Sequence, residues 1–183
     1  MWSKMCSKLF DGPTVTHEEI LIAREARANR QRKLLEANPQ HVLLSTTMNI
    51  PGPVKTSEEI AQVFHVVVEA IEECVSEVTP LVQLYRKKKT GYEYFLLLPL
   101  RKERLKKRMI ELEETCPYGR LVDLDVLFWE EGKIQQLSRE MLGYNQRTCY
   151  VCKEVAKVCS REQKHSLQII RTHIQQLVEK GRK

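Results

Sequence analysis

The chain has no run of 18 or more apolar residues, and a helix that crosses a hydrocarbon core needs about 20, so no membrane partner is expected. Its start, Met1-Trp2-Ser3-Lys4-Met5-Cys6-Ser7-Lys8, lacks the apolar core of a secretory signal. A cytoplasmic protein is therefore expected, with its six cysteines present as thiols or metal ligands rather than disulfides. Aromatic residues are scarce at 7% and do not interleave with the basic runs, so the stacking platform of a single-strand binder is missing. That counts against nucleic acid as a partner. What is present is an ordinary soluble composition, 42% hydrophobic and 30% charged over 183 residues, enough for one domain over 1–183 with a real core.

The net charge of +6 is unevenly placed. Arg86-Lys87-Lys88-Lys89 and the segment from Arg101 to Arg108 carry ten of the basic residues. A field of that sign draws anionic partners, although a hairpin tip and a solvated helix face account for the same runs.

Carboxylates are placed more tellingly. In Gly119-Arg120-Leu121-Val122-Asp123-Leu124-Asp125-Val126, read as a strand, Asp123 and Asp125 point to the same face with Cα atoms about 6.6 Å apart. Two carboxylates at that spacing can hold one divalent cation or bridge a pair, the protein half of a phosphoryl or nucleotidyl transfer site. A wet sheet face is the plainer reading, but Leu121, Leu127 and Trp129 share their parity and Val122, Leu124, Val126 and Phe128 form the other face. Like charges between two apolar faces need compensation.

The order of elements gives these residues a scaffold. Thr16 and Glu19 make a capping box that opens a basic helix to about Leu35, and Asn38-Pro39 ends it. His41 to Met48 reads as a central strand, followed by the turn Pro51-Gly52-Pro53. Thr56 and Glu59 repeat the capping box before a helix with an apolar stripe from Ile60 to Val75, with His65 off that stripe at the surface. Strands Leu81 to Arg86 and Tyr92 to Leu98 follow, joined at Thr90-Gly91. Pro99 then opens a helix whose buried line is Leu105, Met109 and Leu112, and on which Glu111 and Glu113 do not share a face. Cys116-Pro117-Tyr118-Gly119 leads to the aspartate strand, and Lys133 to Leu137 adds a short antiparallel strand. The expected fold class is α+β, a ferredoxin-like β-α-β-β-α-β sheet core with an N-terminal helix, the added strand and C-terminal helices. Residues 139–183 form a Cys/His-containing helical appendage of the same domain.

In that appendage Cys149-x2-Cys152-x6-Cys159-x5-His165 begins with the spacing of a zinc knuckle. Were Thr148 to Cys159 one continuous helix, Cys152 and Cys159 would lie about 10.5 Å apart along its axis, too far to share one Zn²⁺. Zinc thus requires a break in the helix. The alternative is that these are small side chains packed inside. His165 can also serve as a general base, and the flanking Arg147 and Arg161 can clamp phosphate oxygens.

Three separated blocks, Asn49-x-Pro51-Gly52-Pro53-Val54-Lys55, then Ile110-Glu111-Leu112-Glu113 through Pro117-x-Gly119-Arg120-Leu121-x-Asp123-x-Asp125-Val126-Leu127, then Arg147-x-Cys149-x2-Cys152, Ala156, Cys159-x-Arg161 and His165, resemble the apo-citrate lyase phosphoribosyl-dephospho-CoA transferases. The resemblance covers roughly residues 15 to 178. It implies transfer of 2′-(5″-phosphoribosyl)-3′-dephospho-CoA from its 5″-triphosphate precursor to a serine of the apo acyl carrier (γ) subunit of citrate lyase, with release of pyrophosphate. Under it Asp123 and Asp125 are Mg²⁺ ligands, and Gly52, Lys55, Gly119, Arg120, Arg147 and Arg161 are phosphate contacts. The basic helix from Arg101 to Arg108 becomes a docking surface for the carrier. The Gly-Arg-x-x-Asp-x-Asp run is also similar to that of polymerase-beta-type nucleotidyltransferases, with Arg120 where those have serine and a shorter interval before Asp123. The competing class is a non-catalytic zinc-containing module that binds nucleic acid or the carrier, which would tolerate loss of Asp123.

Overall fold

A computed structural model of the chain describes residues 8–182; the readings of Met1 to Ser7, Cys6 included, lie outside the described residues. Helix α1, His17–Ala37, opens with the expected capping box: Thr16 Oγ1 accepts from Glu19 N at 3.1 Å and Glu19 Oε2 accepts from Thr16 N at 2.8 Å. The remaining elements are β1 (Val42–Met48), α2 (Glu58–Cys74), β2 (Val82–Lys88), β3 (Gly91–Leu98), α3 (Lys102–Thr115), β4 (Val122–Glu130), β5 (Lys133–Leu137), α4 (Ala156–Arg161) and α5 (Leu167–Gly181). All five strands lie in one sheet in the order β2-β3-β1-β4-β5, with every neighbouring pair antiparallel.

Alternation along the strands supplies two apolar faces. Val42, Leu44, Tyr94, Leu96, Val122, Leu124 and Val126 pack in one cluster with Ile60, Phe64 and Val67 of α2 and Leu105 and Met109 of α3. Leu43, Phe95, Leu97 and Leu127 face the other way and cluster with Leu34 and Leu35 of α1. Covering both faces explains why β3 and β4 read as nearly continuous apolar runs. The aspartates of β4 share a face with Leu127, at the margin of the smaller cluster.

Three local expectations shift, and the alternative left open for Thr148 to Cys159 is decided. The cap of α2 is Ser57, whose Oγ accepts from Ile60 N at 3.1 Å and donates to Leu9 O at 2.8 Å, rather than Thr56 one residue earlier. Helix α3 begins at Lys102, after a bend that follows Pro99. Gly119–Leu121 is a 3-10 turn, so strand β4 starts at Val122 and not at Gly119. Thr148 to Cys159 is not a continuous helix: Thr148 bridges Val155, and α4 starts only at Ala156. No helix among the described residues is long and apolar enough to cross a membrane.

Candidate active site

Strand β5 pairs only with residues 126–130 of β4, leaving the edge of residues 122–125 without a neighbouring strand. Asp123 and Asp125 lie in that uncovered half. A cavity of about 550 Å³ opens beside it, lined by both aspartates, Lys106 and Glu113 from α3, and Arg147 and Arg161 from the C-terminal segment. A second cavity, of about 160 Å³, lies toward α1 and is lined by Arg24, Arg27, Lys55, Glu93 and Asp123. Asp123 and Asn49 border both.

The two carboxylates are held by different partners. Asp123 Oδ1 accepts from Arg147 Nη1 at 2.9 Å and from Asn49 Nδ2 at 3.3 Å, whereas Asp125 Oδ1 accepts from Gln136 Nε2 at 2.7 Å. Among the described residues neither Oδ2 takes a hydrogen bond. Burial, and then the charge of Asp123, hold the Asp125 carboxyl above the usual carboxylate range. Lys106 donates to Leu124 O at 3.0 Å, and burial lowers its ammonium while the nearby Asp125 opposes that shift. Arg147 binds three groups at once, with Nε on Glu113 Oε1 at 2.6 Å and Nη2 on Arg120 O at 2.9 Å besides its bond to Asp123. Glu113 is buried and also pairs with Arg139 at 3.5 Å. Tyr150, its phenol pushed by burial up to about 12, donates to Arg120 O at 2.8 Å. Arg120 in turn donates to Thr148 O at 2.7 Å, so the 3-10 turn and the C-terminal segment are tied at both ends.

The smaller cavity is cationic. Burial and the charges of Arg24 and Arg171 lower the Lys55 ammonium, which donates to Ile50 O at 2.5 Å. Glu93 is buried beside Arg27 and Arg30, at 3.4 and 3.5 Å, and burial raises its carboxyl against the pull of Arg27.

Of the residues singled out in the sequence, the structure brings Asp123, Asp125, Arg120, Arg147 and Arg161 to one cavity, and Lys55 to the adjoining one. Gly52 and Gly119 line neither. Gly52 has φ 89°, and a Cβ there would meet Arg171 Nη2 at 2.8 Å. A Cβ on Gly119 would meet Glu113 O at 2.6 Å, so the close approach that glycine permits is to the end of α3. His165 is also absent from both linings; its Nε2 lies 3.3 Å from Cys152 Sγ. The ligand atoms of Cys149, Cys152, Cys159 and His165 all fall within 4.8 Å of one another. Gln136, Tyr150 and Glu93 have no counterpart in the sequence reading, and Lys106, read there as part of the basic docking helix, lines the larger cavity instead. Lys106 and Glu113 carried a usable signal, because with buried Ile110 they occupy positions i, i+4 and i+7 of one helix face.

The chain is similar to known proteins over most of its length. The family model described as apo-citrate lyase phosphoribosyl-dephospho-CoA transferase matches residues 15–181. A Streptococcus pyogenes serotype M18 protein named "Probable apo-citrate lyase phosphoribosyl-dephospho-CoA transferase" is 43% identical over 92% of this chain and 88% of its own length. An Escherichia coli O139:H28 protein named apo-citrate lyase phosphoribosyl-dephospho-CoA transferase is 35% identical over 84% of this chain and 82% of its own. A Haemophilus influenzae protein named Protein CitXG is 37% identical over 92% of this chain, a match that occupies 36% of that longer protein.

Proposed function

The chain belongs to the apo-citrate lyase phosphoribosyl-dephospho-CoA transferase family and has its transferase activity, and from that premise we propose how its residues carry the reaction. The donor is the 5″-triphosphate of 2′-(5″-phosphoribosyl)-3′-dephospho-CoA and the acceptor a serine of the apo acyl carrier subunit. The serine oxygen bonds to the α-phosphorus, the bond from that phosphorus to the α–β bridging oxygen breaks, and pyrophosphate leaves with the electron pair. The observation that carries the reading is Asp123, shared by a roomy cavity and a small one walled by Arg24, Arg27 and Lys55.

In this reading the phosphoribosyl-dephospho-CoA moiety lies in the larger cavity and the β- and γ-phosphates in the smaller one. Arg24, Arg27 and Lys55 neutralise the leaving pyrophosphate, while Arg147 and Arg161 hold the α-phosphate side. Arg120 supports Arg147 and Tyr150 through its carbonyl, a positioning role. His165 stands outside both cavities, which leaves the carboxylates of Asp123, Asp125, Glu113 and Glu140 as proton acceptors lining the larger one. Asp123 and Asp125 fit a Mg²⁺ ion: each keeps Oδ2 free of hydrogen bonds among the described residues, and the Asp125 carboxyl, raised first by burial and then by the charge of Asp123, is one that a divalent cation would stabilise in its ionised form. Held by Asp123 and Asp125, Mg²⁺ would neutralise negative charge that builds on the reacting phosphates.

We place all of this within a single cytoplasmic domain, on a ferredoxin-like core, a fold supported by the strand order. The non-catalytic module is not favoured, since it gives no use to a pair of carboxylates set against a cationic pocket. The test is to incubate the chain with apo carrier, the triphosphate precursor and Mg²⁺ and to follow the carrier's intact mass. A gain equal to the precursor minus pyrophosphate is expected, and Asp123→Asn or Asp125→Asn should slow it roughly 10²–10³-fold. Unchanged rates in both variants would remove the metal site from the mechanism.

A further inference from the structure

The C-terminal segment reaches the active site from outside the sheet, and something must hold it there. Between Thr148 and His165 the described secondary structure consists of one bridge, Thr148 to Val155, and the six residues of α4. Four soft or borderline ligands nevertheless converge. Cys152 Sγ lies 3.4 Å from Cys159 Sγ and 3.3 Å from His165 Nε2, and all four ligand atoms, Cys149 Sγ included, are within 4.8 Å of one another. At a Zn–S distance of about 2.3 Å, a tetrahedral site sets sulfur–sulfur separations of about 3.8 Å. The observed cage has that size.

The backbone around the cage is shaped for a metal as well. Cys149 N donates to Glu154 O at 2.7 Å, closing a tight loop that turns Cys149 and Cys152 toward the same point. Val151 N points at Cys149 Sγ from 3.4 Å, a donor that stabilises a thiolate. The helix break that zinc requires is supplied by this loop, and α4 then returns Cys159, buried to 5% exposure, beneath it. His165 arrives from the turn before α5. Packing alone does not account for a histidine nitrogen and three sulfurs meeting at one point.

We propose that Cys149, Cys152, Cys159 and His165 form a structural zinc site that pins the C-terminal segment across the open edge of β4. Four protein ligands of this type close the coordination sphere, as in structural rather than catalytic zinc sites. The second half of the inference rests on the transferase reading: Arg147 and Tyr150 flank Cys149, so the metal would fix the guanidinium that spans Asp123 and Glu113. Binding requires the three thiols to be ionised, and their protons go to solvent.

The experiment uses the full chain, stripped of metal under reducing conditions and titrated with Co²⁺ and then Zn²⁺. Saturation at one equivalent, with thiolate-to-cobalt charge-transfer absorption that Zn²⁺ abolishes, is the expected result. Cys152→Ser and His165→Ala should weaken uptake by roughly 10–100-fold or more, while His165→Cys, which keeps four ligands, should retain it; far-UV circular dichroism of each variant separates lost ligation from lost folding. Stripping should also expose residues 144–166 to proteolysis while the sheet stays intact. Absence of thiolate-to-cobalt absorption, or undiminished uptake by folded Cys152→Ser, overturns the site. The Asp123→Asn/Asp125→Asn chain should still take up one zinc, so failure of the metal site and failure of the transferase mechanism are read on different instruments.

Discussion

Asp125 is the residue where stability and chemistry pull in opposite directions. Its carboxyl is held above the usual range by burial and by Asp123, so it keeps its proton to higher pH in the folded chain than in the unfolded one. A raised carboxyl favours the folded state below the unfolded value, and that contribution is lost as pH rises through the folded value. At neutral pH in Mg²⁺-free buffer the ionised side chain therefore works against folding. Asp125→Asn keeps an acceptor for Gln136 and removes the charge, so it should raise the melting temperature by about 2–4 °C at pH 7, the change that about 1 kcal/mol produces in a chain of this size. The gain should vanish at pH values below the ordinary carboxylate range. A melting temperature that falls at pH 7 would show that Asp125 is stabilised by Lys106 more than it is strained by burial and by Asp123. The same variant should be slowed roughly 10²–10³-fold in transfer, and wild-type transfer should rise with pH as Asp125 loses its proton.

At the level of elements, what the sequence announced and what it hid divide along local and distant interactions. The β-α-β-β-α-β order was legible because capping residues, alternation and helical stripes are local signals, and Thr16 with Glu19 forms the box they spell. Where two capping residues compete the signal is ambiguous, as at Thr56 and Ser57, and tertiary contact decides: Ser57 also reaches Leu9 O at 2.8 Å. Ser57→Ala should thus cost about 1–2 kcal/mol, a cap plus a buried hydrogen bond, against less for Thr56→Ala, read as a shift in the urea midpoint at constant slope. Equal losses would return the cap to Thr56. The aspartate pair was legible from parity alone. The helix face of Glu113 was readable, but its pairing was not, since its partner Arg147 lies 34 residues away in sequence on a segment with no periodicity to read. Lys106 hid for another reason: it sits in a basic run that resembles a solvated face, while its own position falls on the stripe with Ile110. The Cys/His spacing was legible as a cluster, yet only the break before α4 lets Cys152 and Cys159 meet.

Across the whole molecule, the positive charge is less free than its total implies. Within the segment from Arg101 to Arg108, Lys106 turns into the larger cavity, Lys102 lies 3.6 Å from the Phe128 ring centroid and 3.4 Å from Glu130, and Arg104 and Arg108 both pair with Glu77. Arg101, 87% exposed and only 3.8 Å from Glu103, and the exposed Lys107 remain as outward charges on this helix. If an acidic carrier docks here, these two meet it first, and charges at a rim act mainly on encounter. Arg101→Glu combined with Lys107→Glu should raise the KM for the carrier several-fold, and flatten its dependence on ionic strength, while kcat and the KM for the triphosphate precursor stay within twofold. Lys106→Met should behave in the opposite way, lowering kcat with little change in the KM for the carrier, because that ammonium faces Asp125 and not solvent. Should the double reversal leave the carrier's KM unchanged, docking belongs to another basic surface. The hairpin tip is the next to test, since Thr90 and Gly91 border the small cationic cavity and Lys89 is tied to Glu19 at 3.0 Å, which leaves Lys87 and Lys88 as its exposed charges.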